Sequence, residues 1–333
     1  MKMRKTIYLM TLATLLLAAS ACTQDDEPQV KKTKVTFIAH LPETLSLDSR
    51  AIGDGSKANL LYFWVYDEND VEYADLRRQN VEFDQTTNTS RVSAYLTPGH
   101  VYKFAFWAQH KDTQGYTAGA SSVISINYTN ALCNDELRDA FWGWIPDLYV
   151  TEAGEMEQNI VLTRRLAQLN VGISRRGYNN ALNAGVDLKE YDSKIVVTRT
   201  KVAGYTGFEL KGGYTPDNRQ YWKPSLTFDF APMPDELLEA ENKKWVYLAL
   251  NYFQPSVTEQ FLVNVAMTLR HKTTGRTLYF EFPNIPVKGT ERTNILIDDI
   301  IEYVDFDIVI DENFDNLDYN YDDKGNPLNN GGN

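Results

Sequence analysis

Cysteine is nearly missing from this chain: Cys22 and Cys133 are the two thiols among 333 residues. Two thiols cannot build a Cys-based zinc site. Histidine is also scarce, and His40, His100, His110 and His271 show no ligand spacing. Each reads as a surface or strand residue rather than a metal ligand or general base. Gly-x-Gly-x-x-Gly, the P-loop, His-Glu-x-x-His and Gly-x-Ser-x-Gly are all absent, which removes the common nucleotide, zinc-protease and serine-hydrolase signatures. Cys133 has no His nearby in sequence, so an inert buried thiol is expected there, not a nucleophile. Carboxylates are plentiful, but they fall in turns and tails, and the pair a glycosidase needs is not visible. Positive charge is in deficit: 33 Lys and Arg face 45 Asp and Glu, a net charge of −12. A nucleic-acid partner would work against that field. The chain therefore reads as a non-enzyme, with no cofactor, no metal site and no nucleic-acid partner.

Long hydrophobic runs are missing too, with one exception at the start. Met1-Lys2-Met3-Arg4-Lys5 is followed by an apolar run from Ile7 to Ala19 and then by Ser20-Ala21-Cys22. A basic n-region, a short apolar core and small residues before a cut make a secretory signal. The run is short for a bilayer span. Cys22 directly after small residues turns the cleavage site into a lipobox, although Ala19 stands where many lipoboxes carry Leu. The expectation is a lipid on Cys22 and anchorage in the cell outer membrane. Cys133 is then left alone, and no internal disulfide can form. The mature start, Cys22-Thr23-Gln24-Asp25-Asp26-Glu27, resembles the surface-export signal of Bacteroidales lipoproteins. A solvated tether would look the same.

The rest reads as short strands and turns. Val35 to Leu41 alternates with period two, placing Val35, Phe37, Ala39 and Leu41 on one face. Further strands are expected at Leu61 to Tyr66, Arg91 to Leu96, Val101 to Trp107, Asn159 to Leu162 and Ala167 to Ile173. A second set is expected at Lys194 to Thr200, Leu226 to Phe230, Trp245 to Phe253, Phe261 to Arg270, Thr277 to Phe282 and Phe306 to Ile310, punctuated by Pro232, Pro234, Pro255, Pro283 and Pro286. Many short strands with regular turn signals predict an all-β sandwich fold. Helical period shows only at Asn134 to Phe141 and Asp235 to Asn242, both read as connectors. Val101 to Trp107 and Trp245 to Tyr252 share a rhythm, suggesting two tandem sandwiches with a boundary near Arg164-Arg165. The expected division is a signal over 1–21, a tether over 22–32, domains over 33–165 and 166–314, and a disordered acidic tail over 315–333. Asp318 to Asp322 has oxygen ligands at alternate positions, but Asp323 stands where a calcium loop needs Gly.

Several segments together resemble one family. Arg50-Ala51-Ile52-Gly53-Asp54-Gly55, Leu61 to Tyr66, Tyr102 to Ala108, Asp139 to Gly143 and Leu162 to Val171 look like the N-terminal domain of fimbrillin-like lipoproteins of Bacteroidales. Asn284-Ile285-Pro286-Val287, Arg292 to Ile295 and Phe306 to Asp311 look like its C-terminal domain. The resemblance covers nearly all of the mature chain and implies two transthyretin-like, Greek-key sandwiches. It also implies a fimbrial subunit of the type V kind, exported as a lipoprotein. A protease then cuts after an Arg in the first loop, here between Arg50 and Ala51, and removes the lipid with the first strand. Another subunit supplies a replacement strand, so the implied partners are other fimbrial subunits. Leu317, Tyr319 and Tyr321 alternate as donor anchors would, but acidic residues crowd them, which points to a minor, anchor or tip subunit. Arg50 read by itself is equally an ordinary loop residue. The other reading is a surface lipoprotein that never polymerises and holds a glycan or host ligand on Trp142, Trp144, Tyr221 and Trp222. Core packing competes for those rings.

Overall fold

The structure, a computed structural model, describes residues 31–42, 57–119, 122–233, 244–301, 306–311, 320–321 and 327–328. It is all-β and sandwich-type. The first half carries β1 (Thr33–His40), β2 (Leu60–Asp67), β3 (Arg78–Glu82), β4 (Thr89–Leu96), β5 (Val101–Gln109), β6 (Tyr116–Thr117), β7 (Val123–Ile126), β8 (Phe141–Tyr149), β9 (Glu155–Val161) and β10 (Thr163–Arg164). The second half begins with β11 (Ala167–Ser174) and the helix α1 (Arg175–Asn183). There follow β12 (Tyr191–Thr198), β13 (Gly204–Tyr205), β14 (Gly207–Glu209), β15 (Trp222–Lys223), β16 (Ser225–Pro232) and β17 (Trp245–Phe253). Last come β18 (Phe261–His271), β19 (Thr277–Val287), β20 (Arg292–Ile297) and β21 (Phe306–Asp311). In the acidic tail Asn320–Tyr321 pairs with Pro327–Leu328; the remainder of that tail and residues 235–242 lie outside the described residues.

Each half holds two facing sheets. In the first half the orders are β4-β1-β9 and β10-β8-β5-β2-β3, and in the second β17-β11-β20-β21 and β16-β12-β18-β19. The halves share a pairing rule. β1 runs antiparallel to β4 and parallel to β9, and β11 runs antiparallel to β17 and parallel to β20. The likeness between Val101 to Trp107 and Trp245 to Tyr252 therefore does not mark equivalent places. β5 lies between β2 and β8, whereas β17 is the pairing counterpart of β4.

Three apolar clusters follow from this layout. Phe37, Phe63, Phe104 and Phe141 fill the first sandwich. Leu169, Ile195, Phe228 and Val265 belong to the cluster of the second. A third cluster of Trp64, Trp107, Trp142, Phe208, Leu250 and Tyr252 lies between them, and β7 pairs directly with β14 across the halves.

The strand expectations hold, while one helix expectation needs correction and the other, Asp235 to Asn242, lies outside the described residues. Asn134 to Phe141 contains only a three-residue 3-10 turn, Glu136–Arg138, capped by the Asp135 side chain. Among the described residues the regular helix is α1, where Ser174 Oγ accepts the Gly177 N–H at the N-terminus. Gly177 is required there, because a Cβ would sit 2.0 Å from the Asp298 carbonyl oxygen. Two prolines expected as stops lie inside β19 at the margin of its sheet: Pro283 at the register shift between Val263 and Val265 of β18, and Pro286 opposite Leu262 just beyond it. Pro146 likewise lies in β8 where the pairing with β5 shifts between Tyr102 and Phe104. Proline lacks the N–H of a regular ladder, and an irregular register tolerates it.

Candidate functional site

The most constrained element near the N-terminus is β1. Its pairing with β4 runs from Thr33↔Leu96 to His40↔Thr89, and with β9 from Lys34↔Glu155 to His40↔Val161. Both backbone edges are thus satisfied over nearly the whole strand. Val35, Phe37, Ala39 and Leu41 are buried on the inner side, as the period-two pattern predicts. Phe37 is the centre of this row. Its ring centroid lies 5.4 Å from Phe63, 4.4 Å from Phe104 and 5.5 Å from Phe106. The groove holding β1 therefore has backbone on two sides and an aromatic floor from β2 and β5.

The outer side carries Lys34, Thr36, Ile38 and His40, of which Ile38 is buried, and its polar groups are lightly tied. Thr36 Oγ1 lies 2.9 Å from Ser93 Oγ, and His40 Nε2 lies 3.0 Å from Asn159 Oδ1. Arg91 of β4 reaches over β1 to Glu157 of β9 at 3.3 Å, with both side chains more than half exposed. An exposed pair of this kind contributes little. The grip on β1 is chiefly backbone pairing and the apolar row.

Cys22, Arg50 and Ala51 lie outside the described residues. The segment carrying Arg50 and Ala51, 43–56, follows β1 directly in the chain.

The other candidates resolve as follows. Trp142 is buried: its Nε1 donates to the Leu210 carbonyl at 2.8 Å, and the Arg165 guanidinium lies 4.2 Å from its ring. Trp144, Tyr221 and Trp222 are half-buried. Trp144 packs 6.0 Å from Tyr66, and Trp222 leans on the second core. These four rings form no common exposed platform, because cross-sheet packing claims them. Cys133 is buried, and burial pushes its thiol upward, away from the reactive range. His110 and His271 accept backbone N–H bonds within their own turns. Among the described residues no group of three His, Cys, Asp or Glu could hold a metal ion. Among them also no helix is long and apolar enough to cross a membrane.

The inner row of β1 was readable from alternation, β4 falls over the expected strand Arg91 to Leu96, and the end of β9 falls over the expected strand Asn159 to Leu162. The start of β9, Glu155 to Gln158, carries only Met156 as an apolar residue and was not read as strand.

Residues 27–328 match the model of a family of unknown function, DUF6562. The chain belongs to that family. No curated protein sequence matches it. Solved structures with similar chain traces include a candidate cell adhesion protein from Bacteroides ovatus, at 12% identity and a TM-score of 0.47, covering 84% of this chain and 97% of that one. A candidate cell adhesion protein from Bacteroides uniformis matches at 10% identity and a TM-score of 0.46, covering 86% and 100%. A candidate polysaccharide-binding protein from Bacteroides thetaiotaomicron matches at 11% identity and a TM-score of 0.41, covering 84% and 96%.

Proposed function

We propose that this DUF6562 chain is a surface-exposed, lipid-anchored subunit of a fimbrial assembly, structural and adhesive in role and without catalytic activity. Cys22 carries the lipid, residues 33–165 and 166–314 act as N- and C-terminal domains, and cleavage between Arg50 and Ala51 releases the anchor together with β1. A strand from another subunit then takes the vacated place. The observation that carries this reading is the seating of β1. It lies between β4 and β9, buries Val35, Phe37, Ala39 and Leu41, and is followed at once by the segment containing Arg50. Losing such a strand leaves two unpaired backbone edges around an apolar floor, which another strand with alternating anchors can satisfy. The sparse apolar anchors of the acidic C-terminal tail favour an anchor, tip or accessory place over a repeating shaft unit.

The test uses cells displaying the full chain. An arginine-specific protease is added, and released protein is analysed by N-terminal sequencing and intact mass. A product beginning at Ala51, still folded and able to take up a synthetic peptide with alternating apolar residues, is the expected result. Resistance at Arg50, with only lipidated Cys22 termini recovered from the surface, overturns the assembly route.

A further inference from the structure

The outward face of the sheet β16-β12-β18-β19 holds an open groove of about 440 Å³ on the second sandwich. Strand alternation builds it. Ile195, Val265, Met267 and Phe282 bury their side chains in the core, so their neighbours Val196, Asn264, Ala266, Thr268 and Glu281 face outward. Val196 and Ala266 are short, which makes the floor low. Along one wall stands Tyr279, 59% exposed, its hydroxyl donating to Glu281 Oε1 at 2.8 Å. That bond orients the ring and the carboxylate together on β19.

One of the two register irregularities in this sheet falls at the same place. The β18–β19 register shifts between Val263 and Val265, and Asn284 adopts a left-handed φ of 58°. The Asn284 N–H donates to Asn264 Oδ1 at 3.2 Å, which leaves the Asn264 amide nitrogen as a donor beside the groove. Bulges of this kind re-aim side chains and concentrate near binding sites.

The lining carries one carboxylate and no Lys, Arg or His. The cations elsewhere on this face are engaged. Arg270 stacks 3.8 Å from the Phe230 ring, and Lys194 pairs with Asp229 at 2.7 Å. An anionic ligand would meet the Glu281 carboxylate and no cation among the lining residues. A neutral polyol fits instead: its hydroxyls can donate to Glu281 and accept from Asn264 and Thr268, while a C–H face rests on the Tyr279 ring. A volume of this order matches a few sugar rings, at the small end of ligand clefts.

We infer that this groove is a binding site for a neutral saccharide chain, with Tyr279 as the stacking surface and Glu281, Asn264 and Thr268 as the hydroxyl-reading groups. The site is independent of β1 and of cleavage at Arg50, so it stands or falls separately from the assembly reading.

The test is calorimetric titration of the full chain, held in a detergent without a sugar headgroup. The probes are neutral gluco- and manno-oligosaccharides of three to six units, with sulfated and sialylated oligosaccharides for comparison. The expected dissociation constant for at least one neutral probe is on the order of 0.1–1 mM, as suits a shallow open cleft. Tyr279→Ala and Glu281→Gln should each weaken binding by about tenfold or more. Both positions are exposed, and unchanged melting temperatures would show that the variants keep their fold. Absence of binding by every neutral probe at about 10 mM, well above that range, overturns the inference. So does binding that survives both substitutions, or tighter binding of the anionic probes. A dimer lost in Tyr279→Ala, without sugar binding, would make the face a contact between copies and overturn it equally.

Discussion

The ring of Phe37 lies 4.4 Å, centroid to centroid, from that of Phe104, inclined at 48°. One residue of β1 thereby rests on the middle of the opposing sheet, and both rings are fully buried. This contact makes the first strand part of the core rather than an edge decoration.

Phe37→Ala is expected to destabilise the first sandwich by about 3–5 kcal/mol, the usual cost of emptying a buried aromatic site. Urea denaturation followed by circular dichroism measures it. Lys34→Ala, at an outward position of the same strand, should stay within about 0.5 kcal/mol of the parent. Equal effects at the two positions would refute the assignment of the inner face.

Asp139 and Arg164 form a buried bidentate pair, with N–O distances of 2.9 Å from both Nε and Nη2. Arg164 also stacks 4.6 Å from the Phe141 ring. Asp139→Ala removes the carboxylate partner of a buried guanidinium and should cost about 3–5 kcal/mol. The double variant Asp139→Ala/Arg164→Met should recover part of that loss. A double variant as unstable as the sum of both single changes would contradict the pairing.

Burial raises the phenol of Tyr128 from 10.0 to about 12, those of Tyr66 and Tyr116 higher still, and that of Tyr252 well above 10.0. The unfolded chain therefore releases these protons before the folded one does. Their contribution to stability is fully present below pH 10 and is lost as pH rises from 10 toward 12 and beyond. An absorbance titration at alkaline pH should show exposed tyrosines ionising first, and the buried group ionising only with loss of the circular dichroism signal. Ionisation of all 20 tyrosines near pH 10 with the fold intact would be the contrary result.

Gly213 has φ +67°, and a Cβ there would lie 2.6 Å from Trp142 Cη2 and Cζ2. Gly213→Ala is expected to cost about 1–3 kcal/mol, since it adds backbone strain to overpacking. Gly212→Ala meets only Tyr214 at 3.4 Å and should cost less. Tryptophan fluorescence should shift to the red in the first variant and hold in the second.

Much of the fold was legible because apolar alternation is a local signal. β17 falls where its aromatic and β-branched run begins and ends, and the inward set of β1 follows directly from period two. Pairing is not local. Nothing in Glu155 to Val161 says that it lies parallel to β1, and nothing around Asn134 tells a capped 3-10 turn from a helix. The four rings suggested as a platform were the wrong aromatics for exposure. Trp142 faces Gly213 and Leu210 across the junction of the halves, whereas Tyr279 points to the outward face of its sheet and remains open. Exposure depends on what packs over a face, and that information is distant in sequence.

The parallel pairing of β1 with β9 also governs timing. A chain delivered N-terminus first presents β1 early, yet the strand that completes its sheet does not arrive until Glu155. Until then the apolar row from Val35 to Leu41 has at most β4 beside it, and long-range closure makes the first sandwich a slow folder. Throughout that interval β1 is a sticky segment, so any holdase that meets the chain before folding is complete would find its natural footprint there.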